Sequence, residues 1–447
     1  MTEVPGQAGL AGQAAAFCVA SVRDWSGAAA RMLAQTPEIA GYSFATALLL
    51  GDAERVRQEV ERDPGAAARP DPVTGWTPLH AVCASRWYQL DPGRAGGLLA
   101  AARLLLDAGA DPNAPAGPGG RGPLQCTAAA ASSGTGNEPV MRLLLERGAV
   151  ATAEDFYLAA FSRDGYRCLR LLLRLAPAAA KDAGKALAAP VSTGDAEGVR
   201  LLLDGGVDPR RYADDDGHPA AAVYAAVRAG CPAEVIRLLV AAGADPAQPG
   251  PDGHTAAWLA VVTGRADLEG LLGTSDGVTV SARFAGACRR GDRDTAAGLL
   301  AADPGLTGRL AGEELAVLAD AAEAGDEAAV ALMLDLGFPV AARRPADGAT
   351  ALHAAAYAGS APVARLLAGA GADVEAPDGQ WQGTPLEWAV IGSGQRPDSA
   401  PRPDWVATAR VLIEAGAATA GISLSPGDQK PPSAEMAGLL RAYGAGR

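Results

Sequence analysis

The sequence predicts an all-α protein assembled from short, repeated helix pairs. Three observations predict it. A Leu-Leu signature recurs along the chain in eleven copies spaced 28 to 45 residues apart, from Glu59 to Val411. Hydrophobic residues make up 49% of the chain but aromatics only 5%, a mix carried by Ala and Leu that suits closely packed helices and argues against a β-sandwich. Gly and Asp punctuate each copy at the same two places, where helices stop and start.

The clearest copies are LLLDAGADPNA from Leu104, LLLDGGVDPRR from Leu201, LLVAAGADPAQ from Leu238 and LLAGAGADVEA from Leu366. Weaker ones begin at Glu59, Leu143, Leu171, Leu271, Leu299, Leu332 and Val411. Each copy closes a unit with one grammar. A short Ala-rich helix comes first, as in FATALLLGD, FAGACRRGD or LHAAAYAGS. A Gly-Asp or Gly-Ser turn follows, then an amphipathic second helix that ends in the Leu pair and is stopped by Gly. An extended Asp/Pro/Gly-rich connector leads onward. A single pair cannot bury its own apolar face, so neighbours must stack.

This grammar resembles the ankyrin repeat family, whose pattern is roughly D-G-x-T-P-L-H-x-A-A-x-x-G followed by a helix and G-A-D-V-N-A. GWTPLHAVCA, DGATALHAAAYAG and DGHTAAWLAVVTG match its first half; GADPNA, GADPAQ and GADVEA match its second. The resemblance covers residues 43 to 420. It implies a solenoid of helix pairs with β-hairpin-like loops along one edge, and protein–protein binding along the face lined by the first helices. On this reading residues 1–42 form N-terminal capping helices and 43–272 a first part of the stack. An irregular junction spans 273–280, where the Thr-Pro start is missing from GTSDGVTVSARF. Residues 281–420 form the second part, and 421–447 a linker and capping helix.

The candidate chemistry is weighed on that frame. His80 and Cys83 share a helix face in TPLHAVCA. Aligned units place the His slot at Ala45, His80, Gln125, Ala159, Ala188, Tyr224, Trp258, Ala285, Ala319, His353 and Glu387. A slot tolerant of Ala, Tyr and Trp is a helix-start position, and the resemblance implies that its His braces neighbouring loops. Zinc wants three or four convergent ligands, and catalysis wants a third orienting group; neither is visible. His218 and His254 follow Gly at hairpin tips, and Asp214–Asp216 lacks the spacing of a calcium loop. GPGGRG, Gly117 to Gly122, spells a nucleotide-binding pattern, but it follows a connector rather than a strand, and Pro123 stands where a phosphate-binding Lys belongs. No catalytic residue, metal ligand or cofactor is predicted.

The formal charge of −13, with basic residues spread singly, makes nucleic acid a poor partner. No apolar run is long enough to span a membrane. The six scattered cysteines read as reduced thiols, and the N-terminus lacks the basic start of a secretory signal. The sequence therefore predicts a cytoplasmic, monomeric, non-enzymatic scaffold for a protein partner, and the Ala/Gly/Arg bias reads as bacterial coding. An immunity- or antitoxin-like inhibitor of one cognate protein is the alternative within this class. An enzyme or small-ligand receptor using the groove is the alternative from another.

Departures from the pattern supply the candidate partner-binding residues. Extra length lies between the two helices of three units: SRWYQLDPGRAGG, SSGTGNEP and GSGQRPDSAPRPD. The first two should form one protrusion carrying Trp87 and Tyr88 beside Ser132–Glu138. Trp76 and Trp381 fall at hairpin tips. The ends of the first helices offer Ala84, Ser85, Arg163, Asp164, Ser192, Thr193, Arg228, Val262, Thr263, Arg289, Arg290, Glu323 and Tyr357, with Arg228, Arg289 and Arg290 suggesting an acidic patch on the partner.

Overall fold

The computed structural model describes the chain except for residues 1–4, 24–26, 72–74, 117–119, 133–135, 162–164, 215–218, 269, 274–277, 396–402, 423, 425–431 and 445–447. Every regular element among the described residues is helical, and the only β-type pairings there are three isolated bridges at hairpin bases. The chain divides into two compact units, residues 1–251 and 252–447.

Both units are built from the predicted helix pairs, and the turn inside a pair follows from two residues. Gly51 takes φ 67° at the end of Phe44–Leu50, a left-handed conformation that costs a non-Gly residue strain. Asp52 then caps Ala53–Arg62 by accepting the Arg55 amide at 3.1 Å. The same Gly-Asp device opens Arg293–Ala302, through Asp292, and Glu327–Asp335, through Asp326. Most second helices bury one position of the Leu signature completely; in Arg293–Ala302 the buried residue is Ala296 instead. Leu105, Leu144, Leu172, Leu202 and Leu239 in the first unit, with Met333, Leu367 and Leu412 in the second, are completely buried. Each such side chain contributes about 1.5–3 kcal/mol of hydrophobic stabilisation.

First helices stack on first helices. In the second unit Val280–Arg289, Glu313–Glu323, Ala351–Ala358 and Pro385–Gln395 pack in sequence. Their small residues set the spacing: a Cβ on Gly286 would sit 1.9 Å from the Val261 carbonyl oxygen, so only Gly permits that approach. Thr279 caps Val280–Arg289, its Oγ1 accepting the Ala282 amide at 3.1 Å, which supplies the helix start that the Thr-Pro pattern lacks there. Part of that irregular segment, residues 274–277, lies outside the described residues.

The expectation of an exposed protrusion at Trp87 and Tyr88 is corrected. The insertion folds into the short helix Trp87–Leu90, and both aromatic side chains are buried, at 3% and 8% exposure. Trp87 packs its ring 5.8 Å from that of Phe17 in the N-terminal helix Pro5–Arg23, and its Nε1 donates to Ser21 Oγ at 3.0 Å. The Arg94 guanidinium covers the indole at 5.2 Å and donates to the Leu50 carbonyl. The physical reason is local: a large amphipathic ring beside an apolar helix gains more by burial than by display, provided its N–H finds a partner. Gln89 does reach the Ala130 carbonyl at 3.4 Å, so the insertion lies beside the end of Pro123–Ser132.

Trp87→Ala should therefore act on stability. It is expected to cost about 3–5 kcal/mol. Hydrogen exchange should accelerate in residues 5–23 and 78–107, and unchanged exchange there would show that the insertion does not hold the N-terminal helix.

Candidate interaction surface

The His slot is the third position of a capped helix, and the structure shows what that position does. In Ala351–Ala358 the Thr350 amide and hydroxyl lie 3.1 and 2.8 Å from His353 Nδ1. His353 Nε2 lies 3.0 Å from the carbonyl oxygen of Gly383, in the loop that opens the next unit. A carbonyl can only accept, so Nε2 carries the proton and Nδ1 accepts. His80 repeats the arrangement: Nδ1 at 2.7 Å from Thr77 Oγ1, Nε2 at 2.9 Å from the Arg121 carbonyl. Burial lowers the pKa of both imidazoles from 6.5, which keeps them neutral. With both ring nitrogens engaged, neither is a free base or metal ligand. Cys83, below His80, is a fully buried thiol whose pKa burial pushes far up; burial raises Cys126 to about 11 and Cys288 to about 12. None is a thiolate nucleophile at neutral pH. Among the described residues no cluster of His, Cys, Asp and Glu could hold a metal ion.

The slot's register needs correction in five units. The third helical position is Thr46 rather than Ala45, Asp155 rather than Ala159 and Ala282 rather than Ala285; Ala188 is the first residue of its helix, and in Glu313–Glu323 the residue that reaches back is Glu314, the second, rather than Ala319. Thr46, Asp155 and Glu314 each accept a backbone N–H three residues upstream, from Ser43, Thr152 and Ala311. Gln125 and Glu387 do the same for Gly122 and Thr384. Long Ala runs carry no mark of phase, and the side chain that can reach back sets it.

Several of the groove candidates prove occupied or buried. Ala84, Ser85 and Val262 are buried, and Ser85 donates to the Leu49 carbonyl at 2.6 Å. Ser192 and Thr193 are exposed; Arg163 and Asp164 lie outside the described residues, as do Asp215, Asp216 and His218. In the first unit Arg228 is exposed but engages its own helix, donating to the Tyr224 hydroxyl at 2.8 Å. Trp76 is half-buried, its carbonyl accepting the Asp71 amide. The Ala116 amide donates to the Arg121 carbonyl at 3.1 Å, and residues 117–119 of GPGGRG lie outside the described residues. His254 stacks on Trp258 at 3.6 Å.

In the second unit Arg289 is half-buried and lies 3.4 Å from Asp326, whereas Arg290 is exposed. Glu323 accepts Arg344 at 2.7 Å, and Arg344 also pairs with Asp347. Between these groups sits Asp320, which sequence reasoning missed: burial pushes its carboxyl up to about 6, against the attraction of Arg344. Its signal was available, since it is one of two carboxylates, with Glu323, inside the Ala-rich LADAAEAG.

Trp381 and Tyr357 converge on a third aromatic that sequence reasoning also missed. Trp388 lies 5.9 Å from Trp381, with ring planes at 63°, and 5.8 Å from Tyr357 at 76°. Trp381 is 63% exposed, Trp388 is buried, and Tyr357 is half-buried. Asp378 builds the loop beneath them. Its carboxylate accepts the amides of Gln380 (2.8 Å), Trp381 (2.6 Å) and Gly383 (2.8 Å), and Trp388 Nε1 (3.0 Å). Burial would raise its pKa, but these donors hold it below the usual carboxylate range, so it stays ionised. The Gly379 amide donates to the Asp347 carbonyl at 2.9 Å, tying this tip to the preceding one.

With that geometry in hand, comparison with known proteins is direct. A family model described as ankyrin repeats (3 copies) matches residues 284–378, and one described as ankyrin repeat matches residues 74–116. Among solved structures, the human ASB11 ankyrin repeat domain is 20% identical over 48% of this chain and 89% of that one, with a TM-score of 0.36. The ankyrin repeat domain of Bcl-3, a unique member of the IkappaB protein family, is 24% identical over 51% and 97%, with a TM-score of 0.23. A search of curated proteins returned no match.

The His brace gives a pH prediction with a definite sign. A folded-state pKa below 6.5 means that the unfolded chain takes up the proton more readily. The neutral brace's contribution is therefore present above pH 6.5 and lost as pH falls through the folded pKa. Asp320 runs the other way, so the readout is the difference between variants. His353→Gln should retain the bond to the Thr350 amide, as Gln125 accepts the Gly122 amide from the same position, and flatten the decline in stability below about pH 6.5. His353→Ala should cost about 2 kcal/mol at pH 7.5 in urea denaturation. Equal pH profiles for wild type and His353→Gln would contradict the assignment.

Proposed function

We propose that this ankyrin repeat protein is a non-catalytic, cytoplasmic binding scaffold that engages a protein partner through its hairpin tips and the ends of its first helices. Ankyrin repeats generally serve protein–protein interaction, and no described helix is long and apolar enough to cross a membrane. One observation carries the reading furthest: an indole 63% exposed on a loop that four hydrogen bonds to Asp378 hold rigid. An exposed large aromatic wastes apolar surface unless something covers it, and a pre-ordered anchor forfeits little entropy on binding.

Trp381, Tyr357 and Arg290 are the contact residues of this reading in the second unit, with Arg289 held partly back by Asp326. Arg228 and Trp76 are the corresponding candidates in the first unit. Trp87 and Tyr88 are removed from the contact set by their burial. Inhibition of a single cognate protein is one form such binding could take.

The test is capture from a native extract by the tagged full-length chain, with bound proteins identified by mass spectrometry. Trp381→Ala is expected to reduce recovery of a specific protein at least about tenfold, as truncating an interface anchor does. Far-ultraviolet circular dichroism should be unchanged. Wild type and Trp381→Ala capturing the same proteins in equal amounts would contradict the proposal.

A further inference from the structure

We propose that the corner formed by Trp381, Trp388 and Tyr357 receives an arginine side chain of the partner protein. This rests on the binding role proposed above and specifies its chemistry.

From Leu366 to Gln395 the chain carries four carboxylates (Asp373, Glu375, Asp378 and Glu387) and no Lys or Arg. Asp378 is 1% exposed and sits at the edge of the Trp388 indole, bonded to its N–H and to the backbone amide of Trp381. A fixed buried anion there makes the potential on the ring side more negative, which adds to the negative face of each π system. Arg343, on the preceding tip, donates its Nη1 to the carbonyls of Gly348 and Pro377, both at 2.7 Å.

Shape argues in the same direction. Trp381 and Tyr357 each stand steeply to Trp388, at 63° and 76°, so the corner presents ring faces and edges in different directions rather than one flat apolar patch. An aliphatic anchor needs no such arrangement and gains nothing from an anion at the ring edge. A planar guanidinium can lie on an indole face while its N–H groups remain hydrated. Trp is the strongest of the aromatic partners for such a cation.

The test uses N-acetyl-hexaarginine amide as the probe, titrated into the full chain carrying ¹⁵N-labelled tryptophan. The indole signals of Trp381 and Trp388, assigned by single Trp→Phe variants, should shift saturably and ahead of the other five tryptophans. Trp381→Ala should weaken the peptide at least about fivefold, hexalysine should bind less tightly than hexaarginine, and hexaglutamate should leave both signals in place. The proposal is overturned if Trp381→Ala binds hexaarginine as wild type does, or if the shifts scatter over all tryptophans as general attraction to an acidic chain would produce. The outcome is separable from that of the capture experiment: loss of capture by Trp381→Ala without a peptide response keeps the binding surface and overturns only the arginine.

Discussion

In two helix pairs a neutral imidazole at the third position of the first helix holds the loop that opens the next pair: His80 bonds the Arg121 carbonyl and His353 the Gly383 carbonyl. His353 fixes the start of its own helix through Thr350 and the carbonyl of Gly383 in the following loop. The Gly383 amide in turn donates to Asp378, and Asp378 organises Trp381 and Trp388. A chain of four residues thus links the packing of one unit to the surface displayed by its neighbour. Buried polar groups in such a chain cannot be removed singly without leaving an unpaired partner, which makes the loop rigid rather than merely ordered.

The hydrophobic side of the account is simpler and supplies the bulk of the stability. One fully buried position per second helix recurs from Leu105 to Leu412. Small residues on the first helices let backbones approach, as at Gly286 beside Val261. Chains of this composition have few large aromatics with which to fill gaps, so the few they have are informative. Trp87 fills the space between the N-terminal helix and the first units, whereas Trp381 is left in solvent.

Much of this was legible in the sequence, and the losses have physical causes. The period and the Gly-Asp turns were readable because each rests on chemistry within a few residues; the bracing role of His80 and His353, whose bonds reach 41 and 30 residues along the chain, came from the family resemblance. The slot's phase in the Ala-rich units was not: Thr46, Asp155 and Glu314 are identified by hydrogen bonds, which alanine patterns do not encode. Trp87 was expected on a protrusion, and its burial is decided by Phe17 and Ser21, some seventy residues away in sequence. Trp381 and Tyr357 were found individually, but the buried anion and the third ring that join them were invisible without coordinates.

The account's central claim is that the helix-start brace couples neighbouring units, so the most direct measurement is hydrogen exchange on His353→Ala. The coupling predicts faster exchange across residues 376–388 in the next unit, including the amides of Trp381 and Gly383, as well as in Ala351–Ala358. Acceleration confined to Ala351–Ala358, with the Asp378 loop as protected as in the wild type, would contradict it.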